Sequence, residues 1–287
     1  MKLFLTVLVT ILLSSMVAAQ KNVIYSKSQL ESIMPPLPKW SGNDFSWINK
    51  SWILDKDYKK IDSDISIINA VKYVENSLIK GTNPKNIRIL FDAKLKSNPN
   101  DSGNRVGWAY ATFFERYSKD SEYSQDERDI RIAKADWLLY QLPKTSVCEL
   151  YKVRFLISAE RLSFDGNPLK TAGLRLRKKY PNDKYILLKY GYILASLSTS
   201  LNETQESLKI SDTLISYGFF PDMCYSSKGM AHWRWIISEK SSDRAKKAIE
   251  NYKLSYNISI SDRRRENCLQ AIERIKWACS NKGIKFE

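Results

Sequence analysis

Apolar residues recur every three to four positions along most of the chain, from about residue 61 onward. The first series with this spacing consists of Ile61, Ile65, Ile68, Val71 and Leu78. Such spacing predicts an amphipathic helix. Gly81 ends the series, and Asn83-Pro84 then has the residue types of a helix start, an N-cap followed by proline at the first helical position. Strand-like alternation is nearly absent, so the pattern predicts an all-α fold.

Beyond residue 100 the same periodicity predicts four antiparallel helix pairs and a terminal helix. The pairs are Val106–Tyr117 with Gln125–Gln141, Val147–Leu162 with Pro168–Tyr180, Lys184–Ser198 with Thr204–Tyr217, and Cys224–Glu239 with Asp243–Tyr256. The terminal helix is predicted over Asp262–Asn281, with Gly283 after its end. Asn167-Pro168 repeats the helix start seen at Asn83-Pro84.

Prolines punctuate these predicted helices at nearly regular intervals. Four of them, Pro99, Pro143, Pro181 and Pro221, are separated by 44 residues (99 to 143), 38 (143 to 181) and 40 (181 to 221). Periods of roughly 20–50 residues indicate stacked structural repeats. The positions ten residues after these prolines hold Ala109, Val153, Gly191 and Ala231. Three of these four side chains are small, which allows neighbouring helices to approach each other.

These units resemble tetratricopeptide-type repeats. In that family a proline ends the second helix of a pair, and a small residue lies near the middle of the next first helix. The best-matching run is Leu176–Asp183, followed by Tyr190-Gly191. The resemblance implies a right-handed α-solenoid of about four to five helix-turn-helix repeats over residues 61–287. The period is longer than the family's repeat of about 34 residues, and the family's tryptophan position is not kept.

The first 60 residues differ in character from the rest. Lys2, the apolar run Leu3–Leu13 and the small residues Val17-Ala18-Ala19 are typical of a secretory signal peptide over residues 1–19. The apolar run is short for a membrane anchor, which needs about 20 residues. We therefore expect an exported protein, periplasmic or secreted, with no transmembrane span after signal cleavage.

Residues 20–60 combine proline and tryptophan. Pro35-Pro36-Leu37-Pro38 is followed by Trp40, Trp47 and Trp52. Proline density disfavours a long helix, so we expect an irregular arm that lies against the first repeat. An aromatic ligand platform is the alternative interpretation of this segment.

The sequence is basic, with a formal net charge of +15. Such a balance favours acidic partners, including nucleic acid, anionic glycans and acidic proteins. The clusters Arg175–Lys179 and Arg263–Arg265 lie within helical patterns, where a solvated helix face explains them. Export makes nucleic acid a less accessible partner, and this disfavours specific nucleic-acid binding.

No motif in the sequence indicates catalysis, a metal or a cofactor. There is a single histidine, His232, and the sequence contains no Gly-rich phosphate loop, no G-x-S-x-G and no H-E-x-x-H. The two acids of a glycoside hydrolase need not be close in sequence, so glycan processing stays an alternative. We expect no catalytic residues, no metal site and no cofactor.

Four cysteines, Cys148, Cys224, Cys268 and Cys279, allow three disulfide pairings. Cys268 and Cys279 are predicted on one helix, where 11 residues correspond to about 16 Å of rise, too far for a bridge. A bridge from Cys224 to Cys268 or Cys279 is one expectation. Buried thiols between helices are the other.

Candidate binding residues follow from the tetratricopeptide resemblance, which implies that the first helix of each pair lines a concave groove. The positions eleven residues after the prolines hold Tyr110, Arg154, Tyr192 and His232, and the neighbouring candidates are Tyr185, Tyr225 and Trp235. Aromatic residues and arginine concentrate binding energy in protein interfaces. The leading hypothesis is an exported, non-catalytic scaffold that binds a protein or peptide partner in this groove. A glycan-binding or glycan-processing protein and a charge-driven binder of an anionic polymer are the alternatives, and the tyrosines could also simply fill the space between helices.

Overall fold

The computed structural model describes residues 64–118, 125–140, 142, 147–161 and 166–285. The predicted signal peptide (1–19) and the arm (20–60) lie outside these residues. The described residues form eleven α-helices and no strand, so the all-α prediction is confirmed. The helices are α1 (Ile65–Ile79), α2 (Pro84–Ser97), α3 (Ser102–Arg116), α4 (Gln125–Tyr140), α5 (Cys148–Arg161), α6 (Gly166–Lys179), α7 (Lys184–Leu197), α8 (Leu201–Ser216), α9 (Pro221–Glu239), α10 (Ser242–Ile258) and α11 (Asp262–Asn281).

The chain divides into two compact units, Met1–Phe164 and Asp165–Glu287. Helices α1 to α5 belong to the first unit, and α6 to α11 belong to the second. No described helix is both long and apolar enough to cross a membrane.

Helix α3 lies at the centre of the first unit, where it packs against α1, α2, α4 and α5. Trp108, Tyr110 and Phe113 of this helix are almost completely buried. Helix α1 also contacts α5. Because one helix is surrounded by four others, polar side chains on α3 need partners inside the unit.

In the second unit each helix packs against the next one along the chain, and two further contacts join α7 to α9 and α9 to α11. Close approach requires small residues at two crossings. A Cβ atom added at Gly191 would lie 2.9 Å from Cγ2 of Ile210, and one added at Gly229 would lie 2.8 Å from the Tyr252 ring. The predicted small residue at position 191 therefore lies at a helix contact, as expected.

Several helix starts agree with the sequence pattern. Asn83 is the N-cap of α2, and its side chain accepts a hydrogen bond from the backbone N–H of Lys85 at 2.9 Å. Asp101 and Asp183, the last residues of the two Pro-Asn-Asp runs, are the N-caps of α3 and α7. The prediction at Asn167 is wrong, because α6 already begins at Gly166 and Asn167 lies in its first turn.

Candidate functional site

Two of the predicted groove residues, Tyr110 and Arg154, are buried inside the first unit. Their exposed fractions are 1% and 3%. The Tyr110 hydroxyl donates to Oε1 of Glu75 at 2.9 Å, and Nη2 of Arg154 donates to the Leu139 carbonyl at 3.0 Å. The expectation that these side chains face an open groove does not fit their burial, because both side chains are packed among helices of their own unit.

The corresponding residues of the second unit, Tyr192 on α7 and His232 on α9, are half-buried. Burial, helped by the nearby cations Arg244, Lys247 and Lys228 and opposed by Asp243, lowers the pKa of His232 to about 4. His232 is therefore neutral at pH 7. A histidine with this pKa is a weak general base at neutral pH.

The neighbouring candidates Tyr185, Tyr225 and Trp235 are also half-buried. Nε1 of Trp235 donates to Oγ1 of Thr204 at 2.7 Å, which ties this side chain to α8. Nζ of Lys228 lies 5.9 Å from the centre of the Tyr225 ring. Trp235 thus has an internal partner for its only polar atom, whereas Tyr225 and Tyr185 retain contact with solvent.

Tyr185 belongs to a group of rings that sequence reasoning missed, which we call the aromatic cluster: Tyr185, Tyr217, Phe219 and Phe220. The Tyr185 and Phe219 rings are 5.0 Å apart at a T-shaped angle, and Phe219 and Phe220 are 4.9 Å apart in the same manner. Tyr217 joins them through Lys184, whose Nζ lies 4.8 Å from the Tyr217 ring centre and 5.7 Å from that of Phe219. The available sequence signal was the density of aromatic residues in Tyr217-Gly-Phe-Phe-Pro221.

The backbone that carries this cluster is fixed at both ends. Gly218 has a φ of 62°, its N–H bonds to the Ile215 carbonyl at 2.8 Å, and the N–H of Phe219 bonds to the Leu214 carbonyl at 2.9 Å. These two bonds form the Schellman motif that ends α8. Phe220 follows with a φ of 44°, in the left-handed region that a bulky residue rarely occupies. Such backbone strain is common at functional sites.

The first unit contains a buried network of charged side chains. Nε of Arg88 donates to Oε2 of Glu115 at 2.7 Å, and Nη1 of Arg88 donates to Oδ2 of Asp92 at 2.5 Å. Nζ of Lys134 lies 4.3 Å from the Trp108 ring centre. Burial lowers the pKa of Lys134 to about 6, against the opposing charge of Asp92. At neutral pH this amine is therefore mostly uncharged, although its burial keeps it from any substrate.

A narrow cleft adjoins this network and is lined by Thr112, Glu115, Arg116, Arg128 and Arg131. It has room for no more than about one water molecule. Pockets for small molecules are far larger, on the order of several hundred Å³. The cleft therefore does not have the size of a small-molecule site.

The last two kinds of site to consider are a metal site and a disulfide. The described residues contain no group of three or more His, Cys, Asp or Glu side chains that could hold a metal ion. All four cysteines are free thiols: Cys224, Cys268 and Cys279 are buried, and Cys148 is half-buried. The structure thus has no bridge between Cys224 and Cys268, in agreement with the alternative of buried thiols between helices.

Comparisons with protein-family models, with curated proteins and with solved structures find no match for this chain. The candidate functional site is the set of half-buried and exposed aromatic side chains on the second unit: Tyr185, Tyr192, Tyr217, Phe219, Phe220, Tyr225 and His232.

Proposed function

We propose that this chain is an exported, non-catalytic helical-repeat scaffold whose second unit binds a protein or peptide partner. The repeat architecture is supported by the packing within each unit. Alternate helices contact each other, α1 with α3 and α3 with α5 in one unit, and α7 with α9 and α9 with α11 in the other. Stacked helix pairs produce this order. Export is supported by the signal-peptide sequence of residues 1–19.

The observation that carries the binding proposal is a repeated placement of amphipathic rings on α7 and α9. Tyr185 and Tyr192 are seven residues apart on α7, and Tyr225 and His232 are seven residues apart on α9. Residues at this spacing lie on the same face of a helix. All four side chains are half-buried and keep partial access to solvent. Rings of this kind supply much of the binding energy at protein interfaces.

The first unit does not present the equivalent residues at its surface. Its equivalent residues, Tyr110 and Arg154, are buried and hydrogen-bonded inside the unit. A substitution of Arg154 would therefore damage the core of the first unit and could not test a surface. Tyr192 and Tyr225 are the better pair, because both retain partial exposure and lie on helices that pack against each other.

The test uses the full mature chain with a C-terminal tag, as wild type and as the Tyr192→Ala/Tyr225→Ala double variant. Each is used to capture partners from the cells that produce it, and the captured material is identified by mass spectrometry. We expect a specific protein with the wild type and about a ten-fold loss with the double variant, since ring truncations at interface centres have such effects.

Tyr73→Ala is the matched control, because Tyr73 is a partly exposed tyrosine of the first unit, 44% exposed. Circular dichroism and thermal unfolding check that all variants are folded. Capture at the wild-type level by a folded double variant would contradict the proposed site. Recovery of a glycan in place of a protein would support the glycan alternative, and capture that disappears steeply with moderate salt would support the anionic polymer.

A further inference from the structure

We propose that the aromatic cluster, together with Lys184, anchors an acidic segment of the partner that also carries aromatic side chains. The proposal depends on the proposed function only in taking the partner to be a protein. It adds the anchoring residues and the chemistry of the partner segment. Three observations support it: the ordered backbone of the cluster, the exposed Lys184 at its edge and the charge of the second unit.

The cluster is held rigidly before any partner arrives. The Schellman bonds of Gly218 and Phe219 fix the backbone at the end of α8. Pro221 restricts the other side, and the Phe220 carbonyl accepts the N–H of Cys224 at 3.1 Å in the first turn of α9. A site that is already ordered loses little conformational entropy on binding, which raises the affinity that each contact can provide.

The rings are accessible and are held against one another. Tyr217 is 61% exposed, while Tyr185, Phe219 and Phe220 are half-buried. Tyr185 and Phe220 each meet Phe219 edge to face, so these three rings support one another. This arrangement can receive a further aromatic side chain, since the existing rings need not rearrange to add another edge-to-face contact.

Positive charge borders the cluster at Lys184, whose Nζ lies over the Tyr217 and Phe219 rings. Lys178 and Lys179 precede it by six and five residues in the sequence. Lys178, Lys179 and Lys184 are exposed, and within the described part of the chain none of the three makes an ion pair. The one acid among them, Asp183, is occupied as the N-cap of α7, where its side chain accepts the N–H groups of Tyr185 and Ile186 at 3.0 Å. The lysines are therefore available to a carboxylate on the partner.

The charge of the second unit favours the same kind of partner. Residues 166–285 contain 22 lysines and arginines against 11 aspartates and glutamates. A surface with such an excess attracts acidic chains over long distances and repels basic ones. A lipid surface fits less well, because Tyr185, Phe219 and Phe220 are half-buried and only Tyr217 projects as an interfacial anchor does.

The experiment measures fluorescence anisotropy of a labelled random copolymer of glutamate and tyrosine with the full mature protein. Polyglutamate of equal length, heparin and phosphatidylserine vesicles serve as comparison ligands. We expect the copolymer to bind more tightly than polyglutamate, and we expect Tyr217→Ala and Lys184→Gln each to weaken it by about five-fold. Tyr217→Phe should retain most of the affinity, because the ring is kept.

The matched controls are Lys246→Gln, an exposed lysine on α10, and Tyr73→Ala in the first unit. Each should change the copolymer affinity by less than about two-fold, since neither side chain belongs to the cluster and a single surface side chain outside a site contributes little. The proposal is overturned if Tyr217→Ala and Lys184→Gln bind the copolymer as well as the wild type. It is also overturned if polyglutamate, heparin or the vesicles bind as tightly as the copolymer and depend on the same two residues.

The two proposals fail in different ways. Partner capture that requires Tyr192 and Tyr225 but is unchanged by Tyr217→Ala and Lys184→Gln refutes the anchor and leaves the proposed function intact. Capture that is independent of all four residues refutes both.

Discussion

Lys134 shows how a single residue can set the pH dependence of stability in the first unit. It has no exposed surface, and burial lowers the pKa of its amine to about 6. In the unfolded chain a lysine titrates near pH 10.4, so between about pH 6 and pH 10 the unfolded chain binds a proton that the folded chain lacks. Stability must therefore rise with pH across this window and level off on either side of it.

We expect Lys134→Met to be at least as stable as the wild type at pH 7, because the amine is removed from an environment that penalises its charge. It should also remove a slope of up to about 1.4 kcal/mol per pH unit. Urea unfolding at pH 6, 7, 8 and 9 measures both effects, with the exposed Lys246→Met as control. A variant that keeps the wild-type slope would show that Lys134 stays protonated in the folded protein.

Single residues also show that spacing along the sequence predicts helix packing better than it predicts exposure to solvent. Counting ten residues from each proline found four residues that the structure buries, namely Ala109, Val153, Gly191 and Ala231. Counting eleven found two buried residues, Tyr110 and Arg154, and two half-buried ones, Tyr192 and His232. Helix periodicity predicts only the direction of a side chain. Whether it meets solvent depends on distant partners such as Glu75, 35 residues before Tyr110, and no local spacing reveals these.

At the scale of helices, three of them end in the same way. Gly81, Gly218 and Gly283 have φ values of 79°, 62° and 65°. Each glycine lies two residues after the last residue of its helix. The N–H groups of the glycine and of the next residue donate to backbone carbonyls in the last turn of the helix. The sequence predicted two of these ends, after α1 and after α11, from glycine alone.

We expect Gly218→Ala to destabilise the protein by about 1 kcal/mol, because an alanine at a positive φ brings its Cβ close to the carbonyl oxygen. Chemical denaturation measures this loss. Ser216→Ala, two residues earlier on the exposed side of α8, is the control and should change stability by less than about 0.5 kcal/mol. Equal stabilities of Gly218→Ala and the wild type would contradict the left-handed conformation at this position.

The prolines predicted the helix order better than the helix boundaries. Pro99 and Pro181 lie in the turns before α3 and α7, whereas Pro221 is itself the first residue of α9. The start of α9 was predicted at Cys224, three residues too late, because Pro221 was assigned to the turn before the helix. The aromatic cluster could not be predicted, because Tyr185 meets Phe219 across 34 residues (185 to 219) and only packing brings them together.

At the scale of the whole molecule, the second unit has a core of its own. Its members come from α9, α10 and α11 and from the residues that follow: Ile236, Ala245, Ala248, Ile249, Tyr252, Cys268, Ala271, Ile272, Ile275, Cys279 and Ile284. A contiguous core of this kind is what allows a domain to fold by itself.

We therefore expect residues 165–287, expressed alone, to be helical by circular dichroism and to unfold cooperatively in urea. The fragment 165–260 is the control. It lacks α11, which supplies Ile272 and Ile275 to the core, and it should lose cooperative unfolding. A disordered 165–287 fragment would show that this core is insufficient without the first unit.

The burial of three thiols in the second unit affects whether disulfides can form before or after the chain folds. Burial raises the pKa of Cys224 to about 12 and also raises the pKa values of Cys268 and Cys279. Since the thiolate is the reactive form, the folded unit offers almost no nucleophile from these three positions at neutral pH. In an oxidising compartment the redox state of these cysteines then depends on the rate of folding relative to the rate of thiol oxidation. If folding outpaces oxidation, the cysteines stay apart, and if oxidation is faster, cross-links form in a chain that has not yet buried them.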